Sequence, residues 1–230
     1  MALRILHYSD VENAYDDPER VGRLAGTIEA RRDDRTVVVG TGDDTAPGVL
    51  ALRTEGRQAL DFFRAVDPDV ETFGNHDFDF GPEPLREIVA DSPQRWLTAN
   101  VYRDADATRR FADADPTAVI ERDGERVGFV AATDPATPEI AVGASDLTVT
   151  DPVAEVRQRL PELRERADYV VVLAHLREAD ERDIANVDGV DAILGGHVHT
   201  ERCERVDGTL LLRPGATGRL VWEVELGGAG

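Results

Sequence analysis

Five short apolar runs in this chain each end on residues able to bind a metal or move a proton. Asp10 and Glu12 follow LRILHYS, Gly42-Asp43 follows TVVVG, and Gly74-Asn75-His76-Asp77 follows DVETF. His175 ends YVVVLAH, and Gly196-His197-Val198-His199 follows DAILG. In an extended chain, residues i and i+2 project to one side. Asp10 with Glu12, and His197 with His199, can thus each reach neighbouring ions from one segment. Five histidines in 230 residues give roughly 0.1 His-x-His pairs by chance, so that pair carries some weight alone. Each residue also has a plainer use. Asp43 and Asp44 suit a turn after Gly42, Asn75 a cap or turn, His175 a core position, and His197 and His199 a solvent-exposed loop. Ordered recurrence after five strands is what argues for one site.

The elements that must position these groups alternate between β and helical patterns. LRILHYS reads as a first strand. PERVGRLAGTIEARRDD places Val21, Leu24, Ala25 and Ile28 on one helical face, with Pro18 near its start. Further strands are expected in 36–44, 69–77, 95–101, 168–178 and 189–200. Helices are expected at 59–67, in LREIVADS, between the last two of those strands, and in PVAEVRQRLPELRERA, the last interrupted near Pro161. Residues 117–133 read as a hairpin turning at Asp123-Gly124, and GTLLLRPG and RLVWEVEL close the chain as β structure. The polar stretch 102–116 reads as an exposed loop. Strand–helix–strand repetition implies parallel pairing with helices on the faces, and hairpins near 117–133 and at the C-terminus add antiparallel strands. The class is α/β, as one domain over 1–230. In such sheets ligands gather at the C-terminal ends of the strands, where the five clusters can converge.

Asp10-x-Glu12, Gly42-Asp43, GNHDFDFG (74–81), His175 and GGHVH (195–199) resemble the calcineurin-like metallophosphoesterases. The nearest likeness is to the catalytic domain of the 5′-nucleotidase subgroup, whose pattern runs D-x-H, GD, GNHEFDxG, an H-L-G-like histidine and GGHxH. WLTAN, ERDGERVGFVAATDPATP and GTLLLRPGATGRLVWEVEL resemble further stretches in corresponding order, from Leu3 to about Leu226. The resemblance implies a four-layer αββα sandwich: two packed mixed β-sheets flanked by helices. It implies one divalent ion on Asp10, Glu12, Asp43 and His199, and a second on Asp43, Asn75, His175 and His197, with Asp43 bridging. Oxygen and imidazole donors without thiolate suit Mn²⁺ first, and also Mg²⁺, Fe or Zn²⁺. The implied chemistry is in-line attack of a metal-bound hydroxide on phosphorus. Asn75 and His76 would contact the phosphate, and His76, oriented by Asp79, would serve the leaving oxygen. Asp77 belongs to the turn.

Two departures stand out. Glu12 replaces the pattern's histidine, putting an anion where a neutral donor is expected and favouring harder ions. No separate C-terminal nucleotide-binding domain is expected, and Trp96 and Trp222 read as core aromatics. The expected function is hydrolysis of a small phosphomonoester or phosphodiester, nucleotide-like substrates included. Arg109-Arg110 or Arg177 could clamp phosphate, although surface ion pairing is the plainer use of an arginine here. The alternatives are a weakened or non-catalytic metal-binding protein retaining the fold, and a subunit that works with a separate substrate-binding chain.

Composition bounds the partners. The formal net charge is −20, and all 26 basic residues are arginine. Such a field repels nucleic-acid polymers. The single cysteine, Cys203, excludes an internal disulfide, and no apolar stretch suits a membrane or a signal peptide, so a cytoplasmic setting is expected. Acids spread along the whole chain fit a protein built for concentrated salt, where screening relieves self-repulsion. Its thermal midpoint should therefore rise between dilute buffer and molar KCl. Unchanged scanning-calorimetry midpoints would remove the salt-adapted reading.

Overall fold

The computed structural model describes residues 3–227. Its strands are β1 (Leu3–Tyr8), β2 (Thr36–Gly40), β3 (Val70–Thr72), β4 (Arg95–Leu97), β5 (Val101–Tyr102), β6 (Thr117–Arg122) and β7 (Glu125–Thr133). They continue with β8 (Thr148–Val149), β9 (Tyr169–His175), β10 (Ala192–Gly195), β11 (Arg202–Val206), β12 (Thr209–Arg213) and β13 (Trp222–Leu226). The helices are α1 (Pro18–Arg31), α2 (Ala51–Thr54), α3 (Ala59–Val66), α4 (Pro82–Asp91), α5 (Thr137–Ile140), α6 (Pro152–Arg166) and α7 (Glu178–Ala185). Among the described residues no helix is long and apolar enough to cross a membrane.

Two large sheets form, ordered β13-β1-β2-β3-β4 and β11-β12-β10-β9-β7-β6, beside a small β5-β8 pair. In the first, β1 to β4 run parallel and β13 is antiparallel to β1. In the second, β12, β10, β9 and β7 run parallel, with β11 and β6 as antiparallel edges. The continuous apolar runs are explained by burial on both faces. Val37 and Val39 of β2 point into a core between the sheets, where they meet Phe129, Val171 and Leu194. Val38 points outward against α1 and α3. The second sheet's outer face, through Val170, Val172 and Ile193, packs on Val156, Leu160 and Leu163 of α6 and Ile184 of α7. The result is the four-layer αββα sandwich.

Several local expectations are corrected. Helix α6 is continuous through Pro161. The proline lacks an N–H, but it lies on the exposed face, where the freed carbonyl meets water, while Leu160 and Leu163 anchor the helix on either side. The expected strand 95–101 divides. After Leu97 the chain leaves the first sheet: Ala99 N–H donates to Ala131 O, and the Asn100 amide pairs with Thr133 N and O at 2.9 and 2.7 Å. The stretch 102–116 is not a free loop, because Phe111 is buried against Phe73 and Phe78. The C-terminal strands do not pair with each other. β12 joins β10 and makes its hairpin with β11, while β13 crosses to β1. Trp96 is indeed core, stacked on Phe73 with centroids 4.8 Å apart.

One buried ion pair braces the rim of the second sheet. Glu181 of α7 and Arg213 of β12 have no exposed side-chain surface and meet through two contacts, Nε to Oε1 at 3.0 Å and Nη2 to Oε2. They lie against Gly195, where a Cβ would come within 2.3 Å of Glu181 Oε1. Glu181→Ala would strand the guanidinium in the interior, so it should cost about 3–5 kcal/mol of unfolding free energy in urea titrations. A loss under about 1 kcal/mol would mean that water reaches Arg213.

Candidate metal centre

Each predicted donor lies where a strand runs out. Asp10 lies beyond β1, Asp43 beyond β2 and Asn75 beyond β3 of one sheet. His175 ends β9, and His197 and His199 follow β10 of the other. The structure brings all seven donors together as two groups. Ligand atoms of Asp43, His175 and His197 lie within 4.8 Å of one another, as do those of Asp10, Glu12 and His199. Asn75 Oδ1 joins the former, 3.2 Å from His175 Nε2 and 2.9 Å from His197 Nδ1. The groups adjoin: His197 N–H donates to Asp10 Oδ1 at 3.1 Å.

The backbone does this differently from the extended geometry expected. Asp10, Glu12, Asp43 and His197 have φ of 50°, 48°, 56° and 69°. This left-handed region is uncommon outside glycine and costs of order 1–3 kcal/mol per residue. Hydrogen bonds between segments hold it: Asp10 N to Gly42 O (3.0 Å), Glu12 N to Asp43 O (3.2 Å) and Thr217 N to Asp10 O (2.7 Å). Two motif glycines permit the close approach. A Cβ on Gly74 would fall 2.2 Å from Asp43 Oδ1, and one on Gly196 would fall 2.3 Å from Ser9 Oγ.

The donor set fits divalent cations. His175 Nδ1 lies 2.8 Å from Thr41 O, which places its proton there and leaves a lone pair on Nε2. That lone pair faces Asp43 Oδ2 at 3.1 Å and Asn75 Oδ1 at 3.2 Å, both acceptors. Glu12 Oε1 is buried 3.0 Å from His199 Nε2, yet makes no aligned hydrogen bond. In the neutral tautomer of His175 these lone pairs converge on one another, the arrangement a cation satisfies. With no cation present, the electrostatics favour a proton in its place. Burial pushes the Asp43 carboxyl up, but His175 and His76 outweigh it and hold it below the usual range. Burial would lower His175, but Asp43 lifts it to about 10. Burial lifts Glu12 to about 7, with His199 pulling the other way.

His76 stands half-exposed at the rim, its Nδ1 3.0 and 3.2 Å from the two Asp79 oxygens. That contact lifts its imidazole to about 9. Its backbone N–H donates to Asp43 Oδ1 at 2.6 Å, tying the rim to the centre. His7 stays apart, buried with its Nε2 on Thr41 Oγ1.

Two acids matter more than their sequence reading suggested. Asp77 does not serve only its own turn. It accepts from the backbone N–H groups of Asp43, Asp44, Thr45 and Gly74 and from the Thr45 hydroxyl. Asp134 was missed. It is buried beyond β7 with Oδ2 3.1 Å from His197 Nε2 and 2.8 Å from Arg177 Nε. A carboxylate beside Nε2 keeps the proton there and frees Nδ1 as a donor. The signal was present, since the run GFVAAT also ends on an acid.

Two helix-flanked mixed sheets with donors gathered at one rim are the metallophosphoesterase architecture. Residues 3–201 match the family model for calcineurin-like phosphoesterases, and the chain belongs to that family. The 5′-nucleotidase of Diplobatis ommata is 27% identical over 216 residues, covering 86% of this chain and 37% of that protein. The 2′,3′-cyclic-nucleotide 2′-phosphodiesterase/3′-nucleotidase of Salmonella typhimurium is 27% identical over 236 residues, covering 86% of this chain and 36% of that protein. In three dimensions the chain is similar to a 5′-nucleotidase precursor from Thermus thermophilus. That match has a TM-score of 0.80 and 24% identity, and covers 96% of this chain and 50% of that one. The calcineurin-like phosphoesterase YfkN of Bacillus subtilis gives 0.81 and 18%, covering 97% and 84%. The chain thus spans under two-fifths of the length of these two curated relatives.

Glu12 is the donor that departs from the family pattern, and metal analysis reads its part directly. Glu12→Ala should weaken Mn²⁺ binding about 10-fold or more, and Glu12→His should keep or strengthen it. Parent-like metal content in both variants would make Glu12 a bystander.

Proposed function

We propose that this chain hydrolyses a small phosphoester, a phosphomonoester or phosphodiester with nucleotide-like substrates included, at a centre of two divalent ions. The observation that carries this reading is the pair of adjoining donor groups with the His76–Asp79 pair beside them at the same rim. Asp10, Glu12, Asp43 and His199 would hold one ion, and Asp43, Asn75, His175 and His197 the other. Glu12 adds an anionic oxygen, which favours Mn²⁺ or Mg²⁺ among the ions that suit the set. When bound, the ions neutralise phosphoryl oxygens and supply an activated water.

The chain's own residues supply position and a proton. Asp79 holds the His76 ring by Nδ1, which leaves Nε2 to face the substrate. At neutral pH the raised pKa of His76 keeps that nitrogen protonated, ready to donate to the phosphate or to the departing oxygen. Asn75 and the His76 imidazole would contact the phosphate. Asp134 and Thr41 O orient His197 and His175, so neither imidazole has to reorganise as charge develops.

One observation favours a second reading. Glu12 and His199 are already a carboxylate–imidazole pair at 3.0 Å, able to persist without an ion and so to weaken that side of the centre. Against it stands the half-exposed His76–Asp79 pair, for which a purely structural protein has no need.

The parent protein should release p-nitrophenol from p-nitrophenyl phosphate or bis-p-nitrophenyl phosphate with Mn²⁺ in molar KCl. His76→Asn should retain its metal and lose about 10²- to 10⁴-fold in turnover. Full activity in that variant would remove the role given to His76. Bound metal with no turnover on either ester or on nucleotides would favour the second reading.

A further inference from the structure

Arginine is abundant on this surface and mostly pairs with exposed acids, but one arginine is placed otherwise. Among the described residues, Arg177 is the only arginine ion-paired to an acid of the metal centre and its immediate supports. It lies just beyond His175, at the start of α7. Its Nε is 2.8 Å from Asp134 Oδ2, the same oxygen that lies 3.1 Å from His197 Nε2. Asp134 is 1% exposed and is fixed further by the Ala136 N–H on Oδ1 at 2.8 Å, so it cannot swing to follow the arginine. The ion pair with this carboxylate therefore keeps the guanidinium beside the donor group of Asp43, His175 and His197.

The Nη edge is available. A guanidinium carries five N–H donors, and here Nε is in ion-pair contact with Asp134 Oδ2 without an aligned hydrogen bond. Neither Nη has a partner among the described residues, and the side chain is 55% exposed. A plain counter-ion for Asp134 would not require an arginine ion-paired through its Nε with both Nη groups turned to solvent. A planar fork kept beside the metal centre by an ion pair is suited to gripping an oxyanion by two parallel hydrogen bonds. The surrounding charge makes this useful. With a formal net charge of −20, the chain repels anionic substrates at long range, and the rim carries Asp79, Glu12 and Asp10.

We propose that Arg177 is a specificity-determining residue: its Nη edge binds a second oxyanion that the substrate carries beside the phosphoryl group. This rests on the phosphoesterase reading for the first phosphoryl group, which the metal centre would hold. Two sources share the chemistry, a second phosphate and a carboxylate.

Three non-hydrolysable probes separate them: methylphosphonate with one anionic group, methylenediphosphonate with a second phosphonate, and phosphonoacetate with a carboxylate. Binding to the Mn²⁺-loaded protein would be measured by calorimetry in molar KCl, after free metal is removed. The parent should bind at least one two-anion probe more tightly than methylphosphonate, and the tighter of the two identifies the source. Arg177→Gln should lower that affinity ratio on the order of 10- to 100-fold, the effect of losing charge-assisted hydrogen bonds. Using the ratio cancels any general effect of Arg177 on Asp134 and the metal site. Equal losses for all three probes, an unchanged ratio, or no two-anion preference in the parent would overturn the proposal. Probe binding with an intact ratio effect but no turnover of any phosphoester would overturn the hydrolase reading alone.

Discussion

One buried carboxylate holds the candidate centre in shape. Asp77 takes hydrogen bonds from two separate segments: Asp43, Asp44 and Thr45 after β2, and Gly74 after β3. Without it, the turn that carries Asp43 would have several buried N–H groups without partners, each costing about 1–3 kcal/mol. With it, Asp43 is fixed in a left-handed conformation that aspartate rarely adopts. From there Asp43 Oδ1 receives the His76 N–H, and Oδ2 faces His175. The rim histidine, the central carboxylate and the opposite sheet therefore share one frame. Desolvation sets the cost, since burial raises Asp77 to about 6 even with its donors in place.

Negative charge is handled in three ways according to depth. On the surface, arginines such as Arg57, paired with Glu87 and Asp91, offset some acids, though exposed pairs of this kind contribute little each. Behind the centre, among the described residues, no arginine pairs with Glu71 or Asp44. Glu71 is fully buried, accepts from the Tyr8 hydroxyl at 2.7 Å and is raised by burial to about 8, so it keeps a proton at neutral pH. Asp44 is raised as well, by burial first and by Glu71 next. At the rim, neutralisation falls to imidazoles, which also have the lone pairs that a cation needs. Around the centre, protons behind it and imidazoles at its rim follow the accessibility of water, while the buried Glu181–Arg213 pair is a separate case in which an arginine neutralises an interior acid.

The donors were legible because strand ends in a doubly covered sheet are few, and an ordered series of polar clusters after apolar runs has little else to mean. Which strands pair was less legible. β12 and β13 look alike in sequence but belong to different sheets, and nothing in their own residues records which partner lies alongside. The i, i+2 spacing of Asp10 and Glu12 gave the right neighbours for a wrong reason, because convergence comes from left-handed backbone held by Gly42 O and Asp43 O. Asp134 escaped because ATDP reads as a turn, although the rule that found Asp10 and Asp43 applies equally to it. Phe111 escaped because polar neighbours outweigh one aromatic residue in any window average, whereas packing responds to the single ring.

Beside Glu12, Arg177 also differs from the pattern this chain resembles, and their charges oppose. Glu12 brings an anion where D-x-H has a neutral imidazole. Arg177 brings a cation where H-L-G has no side chain at all. They act on different donor groups: Glu12 on that of Asp10 and His199, Arg177 through Asp134 on that of His197. The sum of charge at the rim is thus close to that of the pattern, but its distribution is polarised. A site polarised in this way would draw a cation toward the Glu12 side and present positive charge on the Arg177 side. A substrate with a second anion would meet that direction on entering.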